Sequence, residues 1–85
     1  MDLSPFKIQF KQGNHFQLAE VRPCCKEDDV IYYDVWIDNL YQYTITPGLI
    51  HEEKPGWRVA LKNADRDIDQ ELVQTIGVEI ESHYL

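Results

Sequence analysis

The chain has 85 residues, 44% hydrophobic and 12% aromatic, which is typical of one globular domain over residues 1–85 and excludes a disordered tail. Its 15 acidic and 8 basic side chains give a net charge of -7. This balance argues against general binding to nucleic-acid backbones or anionic membranes, so we expect neither among the partners.

The first predicted element is a β-hairpin. Apolar and polar residues alternate from Phe6 to Phe10, as in a strand with one buried face. Gly13 and Asn14 tolerate the backbone conformations of a tight turn. Phe16 and Leu18 alternate with polar residues after the turn, and we expect both to return to the core face.

The second predicted element is a central strand from Val30 to Asp38. The preceding segment 22–29 is polar and contains Pro23, so we expect a long loop there. One row of the strand is unbroken and apolar and should face the helix; its members are Ile31, Tyr33, Val35 and Ile37. The opposite row contains Tyr32 and Trp36.

The chain after Asp38-Asn39, a plausible two-residue turn, predicts further strands. The next strand should run over 41–46 with Tyr41, Tyr43 and Ile45 on one side. Pro-Gly pairs at 47–48 and 55–56 predict type II turns on either side of a short acidic excursion. In the last strand we expect three apolar side chains inward and two basic ones outward. The inward residues are Trp57, Val59 and Leu61, and the outward residues are Arg58 and Lys62.

The closing segment, Asp67 to Leu85, predicts an amphipathic helix because apolar residues return there at helical spacing. The apolar stripe consists of Leu72, Val73, Ile76, Ile80 and Tyr84. Asp65 or Asp67 should cap the helix, with the spacing from Asp67 to Gln70 resembling a capping box. Gly77 lies at the edge of the stripe, where we expect it to permit close approach of an aromatic ring or a strand.

These elements predict an α+β fold: a four- or five-stranded antiparallel meander with one C-terminal helix packed on one face. Since one helix covers only one face of a sheet, the opposite face must meet water, a loop or a partner.

That opposite face carries the candidate partner-binding residues Tyr32, Trp36 and Arg58. Exposed aromatic residues with a polar rim are typical of interaction surfaces, in which Trp, Tyr and Arg act as anchors. Two structural alternatives remain open. Segment 22–29 or 49–55 folds over the rings, or the rings pair across strands and stabilise the sheet locally.

The adjacent cysteines, Cys24 and Cys25, are the candidate reactive groups. Lys26 beside them can lower a thiol pKa, but nothing in the local sequence supplies the base that nucleophilic catalysis requires. Neighbouring cysteines rarely form a relaxed disulfide, so we expect reduced thiols and a cytoplasmic protein. The first residues also lack the basic and apolar regions of a signal peptide.

The remaining motifs predict no cofactor, no metal site and no catalytic residue. The three histidines, His15, His51 and His83, show no recognised ligand spacing with each other or with the cysteines. The paired carboxylates fall mainly in predicted loops and on the outer helix face, where they act most simply as solvating charges.

Three segments together resemble a group of short, uncharacterised bacterial α+β proteins. They are the Phe-x-Ile-x-Phe opening, the Pro-Gly-Trp sequence at 55–57 and the ending Ile-Gly-Val-Glu-Ile-Glu-Ser-His-Tyr at 76–84. Those proteins also finish in an Ile-Gly…Ile-Glu…His-Tyr helix after several strands. The resemblance implies a sheet with one helix and carries no activity, and the adjacent cysteines have no counterpart in it.

The sequence therefore favours a non-catalytic interaction module that forms a homodimer or binds a protein partner through the face opposite the helix. One alternative is a small thiol-dependent enzyme or redox protein that uses Cys24 or Cys25. A second is an acidic inhibitor that occupies a basic site on another protein.

Overall fold

The computed structural model describes residues 3–27, 29–51, 54–63 and 67–84, with the backbone alone at 49–51 and 54–55. These residues form one five-stranded antiparallel sheet in the order β1-β2-β3-β4-β5, followed by one helix. The strands and the helix are β1 Phe6–Gln12, β2 His15–Glu27, β3 Val30–Ile37, β4 Leu40–His51, β5 Lys54–Lys62 and α1 Gln70–His83. This confirms the predicted α+β meander.

The core lies between α1 and one face of the sheet. The helix contributes Val73, Ile76 and Ile80, which are all buried. The strands contribute buried apolar side chains from all five members of the sheet: Ile8, Phe10, Ala19, Val21, Tyr33, Val35, Tyr43, Ile45 and Trp57. Because α1 contacts both edge strands, β1 and β5, the sheet curves around the helix.

In the β1–β2 hairpin, Phe16 and Leu18 lie on the face opposite to the core face predicted for them. Gly13 takes a left-handed conformation in the turn, with φ at +62°, and Gln12 stands opposite His15. Paired residues share a face, and Ile8 is paired with Ala19. Ala19 therefore joins the core, whereas Phe16 and Leu18 are 69% and 59% exposed on the other face.

Residues 22–27 of the predicted loop at 22–29 belong to β2, and both predicted Pro-Gly turns lie within strands, so these predictions are wrong. Asp28 lies outside the described residues, and Asp29 is in a turn. β2 continues to Glu27, and β4 and β5 pair through Gly48 and Gly56. Pro23 follows Val21, the last residue of β2 paired with β1, and Pro47 follows Ile45, the last residue of β4 paired with β3. Each proline therefore stands where only one strand edge is paired, a position that tolerates a missing N–H.

Two β-bulges reverse the predicted facing of Tyr41 and Leu61. The register passes from Val35 opposite Tyr43 to Trp36 opposite Tyr41, which places Tyr41 on the Trp36 side. A second shift places Leu61 opposite Thr44, and Leu61 is 66% exposed. The same shift places Lys62 opposite Tyr43, on the helix side, rather than outward beside Arg58 as predicted.

The helix begins two residues later than the capping box from Asp67 implied. Asp69 is the N-cap, and its side chain accepts hydrogen bonds from the backbone N–H groups of Glu71 and Leu72. The capping box from Asp67 is therefore wrong, because Gln70 is the first helical residue rather than the third. Asp65 lies outside the described residues.

Gly77 permits the close approach predicted for it. A Cβ atom at this position would lie 2.3 Å from two ring carbons of Trp57. Glu81 accepts a hydrogen bond from the Trp57 indole Nε1 at 2.8 Å. The Gln74 side chain bonds both to the backbone N–H and to the carbonyl of Trp57, at 2.9 and 2.7 Å. The helix therefore covers the outer edge of β5 at Trp57.

Candidate functional site

The candidate site lies on the sheet face opposite α1, which we call the helix-free face. Strand register assigns to this face a set of side chains from all five strands: Lys7, Lys11, Phe16, Leu18, Glu20, Arg22, Cys25, Tyr32, Asp34, Trp36, Tyr41, Thr44, Thr46, Arg58 and Leu61. Of the two segments predicted to cover the rings, residues 22–27 belong to β2, and residues 49–51 and 54–55 belong to β4 and β5.

An open groove of about 640 Å³ occupies the part of this face formed by β2, β3, β4 and β5. Its aromatic lining consists of Tyr32, Trp36 and Tyr41, all of them half-buried. Leu61 adds an exposed aliphatic side chain. The volume and the predominantly apolar lining are in the range of small-ligand and side-chain pockets.

A chain of hydrogen bonds holds one side of the groove. The Thr44 hydroxyl donates to a carboxylate oxygen of Asp34 at 2.6 Å, and the hydroxyls of Tyr41 and Thr44 are also 2.6 Å apart. Since the single Thr44 proton goes to Asp34, Tyr41 must be the donor to Thr44. The chain fixes the ring of Tyr41 beside Trp36, at 5.8 Å between centroids.

Arg22, which the sequence analysis did not single out, lies directly on Trp36. Its guanidinium carbon is 4.2 Å from the centroid of the indole ring, in the geometry of a cation–π contact. Glu20 forms an ion pair with the Arg22 Nε and holds the guanidinium in place. Arg22 stands opposite Asp34, which lies two residues before Trp36 on β3. The contact depends on the register of β2 against β3, so the sequence alone does not reveal it.

The three residues predicted to bind a partner occupy the helix-free face, but only two of them meet in the groove. Tyr32 and Trp36 both line it. Arg58 is exposed on the same face opposite Thr46, and its methylene chain lies over Gly48, with Cδ 3.0 Å from where a Cβ would stand. The arginine that lies beside Trp36 is therefore Arg22 and not Arg58.

The indole nitrogen of Trp36 is shielded from solvent and donates to no other residue in the described part of the chain. An unpaired buried donor costs on the order of 1–3 kcal/mol. The Tyr43 hydroxyl in the core is also shielded without a partner among the described residues, so this feature does not separate a binding role from a structural one.

Cys24 and Cys25 also line the groove, and their sulfur atoms are bonded to each other as a disulfide. This corrects the expectation of two free thiols. A β-bulge provides the physical reason: the register passes from Pro23 opposite Tyr33 to Cys25 opposite Tyr32, and Cys24 is the extra residue. The irregularity brings two successive side chains to one face, which a regular strand does not allow.

Groups with displaced pKa values lie on the other side of the sheet. Burial raises the pKa of the Tyr33 phenol, with a smaller contribution from Tyr84. Burial, followed by the negative charge of Asp69, raises the pKa of Tyr43 to about 12. Both effects keep these core phenols protonated, and neither supplies an acid or base to the groove.

The described residues contain no group of three or more His, Cys, Asp or Glu side chains arranged to hold a metal ion. None of the helical segments in the described ranges has both the length and the apolar character to cross a membrane.

Comparisons of the chain with protein-family models, with curated proteins and with solved structures give no match. The argument for a function therefore rests on the geometry of the helix-free face.

Proposed function

We propose that the protein is a small non-catalytic interaction module that self-associates through the helix-free face. The observation that supports this most strongly is the exposure of three large apolar side chains on that one face. Phe16, Leu18 and Leu61 are each more than half exposed. Exposed apolar side chains favour association, because burying one such side chain contributes roughly 1.5–3 kcal/mol.

The residue types around this apolar surface also support an interface. Trp, Tyr and Arg are the residues most often found as energetic anchors of protein interfaces. Here Arg22, Trp36 and Tyr41 form one contiguous cluster, held by the Glu20 ion pair and by the bond to Thr44. Side chains that are already ordered lose less conformational entropy when a partner binds.

A second copy is the proposed occupant, because the face carries a basic pair on β1 and an acidic pair in the groove. By register, Lys7 and Lys11 on β1 lie on this face. Glu27 and Asp34 line the groove, and the arginines on that half of the face, Arg22 and Arg58, are not among its lining residues. A two-fold symmetric pair of faces would bring the two lysines of each copy towards the two groove carboxylates of the other.

Sedimentation velocity over a wide concentration range tests this function. We expect the wild-type protein to form dimers and a Phe16→Ser, Leu18→Ser variant to associate at least about tenfold more weakly, from the lost apolar burial. Val78→Ser is the matched control, because Val78 is 54% exposed but lies on the helix. Circular dichroism establishes that each variant is folded.

A wild-type monomer at every concentration would contradict self-association. Equal association of the Phe16→Ser, Leu18→Ser variant and the wild type would move the interface away from this face.

A thiol–disulfide function is the second candidate, favoured by the bonded Cys24 and Cys25 in the groove. In that reaction a partner dithiol is oxidised to its disulfide while the Cys24–Cys25 bond is reduced to two thiols. We expect non-reducing alkylation to label neither cysteine before treatment with dithiothreitol and both afterwards. Labelling of both cysteines without reductant, with thiols that titrate near the ordinary pKa of about 8.5, would end this candidate.

The resemblance to short bacterial α+β proteins and the cytoplasmic location stay predictions from the sequence. The resemblance carries no activity and does not add to the argument for self-association.

A further inference from the structure

We infer that the groove on the helix-free face is a binding site for an ammonium group, and that in the dimer a lysine from β1 of the second copy occupies it. The inference rests on the proposed function, since it takes the same face to be the binding face, and it names the chemical group that the groove recognises.

The first step is the aromatic lining of the groove. Tyr32, Trp36 and Tyr41 present three ring systems to one cavity. Aromatic faces attract cations, and sites that enclose an alkylated ammonium between several rings are the strongest use of this attraction. One face of Trp36 already holds a cation of the protein itself, the guanidinium of Arg22 at 4.2 Å.

The second step is the charge of the lining. Glu27 and Asp34 supply two carboxylates, and the described lining residues include no lysine, arginine or histidine. A cation that enters the groove therefore meets two carboxylates, and the neighbouring positive charge, the Arg22 guanidinium on Trp36, is paired with Glu20. An anion would meet repulsion from the same groups.

The third step identifies the source of the cation. Lys7 stands opposite Glu20 and Lys11 stands opposite Phe16, so both begin on the helix-free face beside its exposed apolar residues. In a two-fold symmetric interface each contact occurs twice. A lysine that enters the groove of the second copy is then matched by the equivalent lysine of that copy in the first groove.

A charge-swap experiment tests this arrangement. One variant carries Lys7→Glu and Lys11→Glu, and the other carries Glu27→Lys and Leu61→Lys, which makes the groove basic and leaves Asp34 bonded to Thr44. We expect each variant alone to dimerise at least about tenfold more weakly than the wild type, because both contacts of its homodimer are repulsive.

Mixing the two variants is the decisive arm. In the mixed dimer the acidic β1 of one chain meets the basic groove of the other, and the basic β1 meets the unchanged acidic groove, so we expect dimers to return. Val78→Lys, a charge change on the helix, should dimerise like the wild type. A wild-type dimer whose two variants dimerise no better mixed than alone would overturn the inference while the proposed function stands.

A titration with small molecules tests whether the groove binds an ammonium group, and it does not require a dimer. The Lys7→Glu, Lys11→Glu variant keeps the groove unchanged, and its Trp36 indole resonance is followed by NMR during titration with choline or with the neutral isostere 3,3-dimethyl-1-butanol. We expect choline to bind at least about fivefold more tightly, as a cation–π contribution of this kind predicts.

Equal affinities for the two compounds would overturn the ammonium site. If the wild type is monomeric and choline still binds preferentially, the proposed self-association fails, the ammonium site stands, and its occupant is a cation from another molecule. The Glu27→Lys, Leu61→Lys variant should lose the preference for choline in either case.

Discussion

Gly77 is the residue at which helix and sheet approach most closely, and it gives a direct test of the packing. We expect Gly77→Ala to lower the free energy of unfolding by about 1–3 kcal/mol through overpacking, although alanine favours a helix by about 1 kcal/mol. The Trp57 ring, 2.3 Å from the new methyl position, is held by Glu81 and cannot easily retreat. Urea denaturation measures the difference.

Val78→Ala is the control for Gly77→Ala, since it changes the neighbouring exposed helix position. We expect it to shift stability by less than about 0.5 kcal/mol, as exposed substitutions usually do. Wild-type stability in Gly77→Ala would show that Trp57 does not lie against Gly77.

Tyr43 makes the stability of the fold depend on alkaline pH. Its folded-state pKa of about 12 lies above the ordinary value of 10.0, because burial and Asp69 disfavour the phenolate. The contribution of the protonated Tyr43 phenol to the free energy of unfolding is fully present below pH 10. It declines as the pH rises from 10 towards 12, by about 1.4 kcal/mol per pH unit.

Chemical denaturation at a series of pH values between 8 and about 12, compared with Tyr43→Phe, measures this linkage. In Tyr43→Phe the free energy of unfolding should decline less steeply with pH than in the wild type. A smaller decline should remain, because burial also raises the pKa of Tyr33. An identical decline in both proteins would place the titrating group elsewhere.

At the scale of elements, the start of α1 can be tested by two neighbouring acidic residues. Asp69 accepts hydrogen bonds from Glu71 and Leu72, whereas Asp67 lies outside the helix and accepts no such bond. We expect Asp69→Ala to cost about 0.5–2 kcal/mol of stability and Asp67→Ala almost nothing. A larger loss from Asp67→Ala, measured by thermal denaturation, would restore the earlier helix start.

The elements also show how far the sequence predicts the fold. The helix and the central strand follow from their apolar spacing, and Tyr33 and Val35 lie in the core as predicted. The core face predicted for β2 is wrong, because both alternating rows of that strand contain apolar residues. The pairing through the Gly13 turn, and not the hydrophobicity of Phe16, decides which row is buried.

Bulges explain most of the remaining differences. Strict alternation predicted Tyr41 on the side of Tyr43 and Ile45, and Leu61 in the core, and one extra residue in each strand places them on the helix-free face. A bulge is a property of two paired strands, so one strand's sequence does not reveal it. The loop prediction at Cys24 and Cys25 has a different origin, because it follows from the polar composition of the segment and from Pro23.

At the scale of the whole molecule, the two faces of the sheet are covered differently. α1 covers one face and the β5 edge, where Gln74 bonds to the backbone of Trp57 on both sides. The sequence identified the other face, and Tyr32 and Trp36 on it, because one helix leaves one face uncovered. It did not reveal the groove or Arg22, which depend on cross-strand register.

An NMR dilution series on wild-type protein tests the central claim, self-association through the helix-free face, most directly. We predict concentration-dependent shifts at the amides of Leu18 and Leu61 and at the Trp36 indole, with Val78 and Ser82 on the outer helix unchanged. Absence of any shift up to the millimolar range would contradict self-association, and shifts centred on the helix would contradict the assignment of the face.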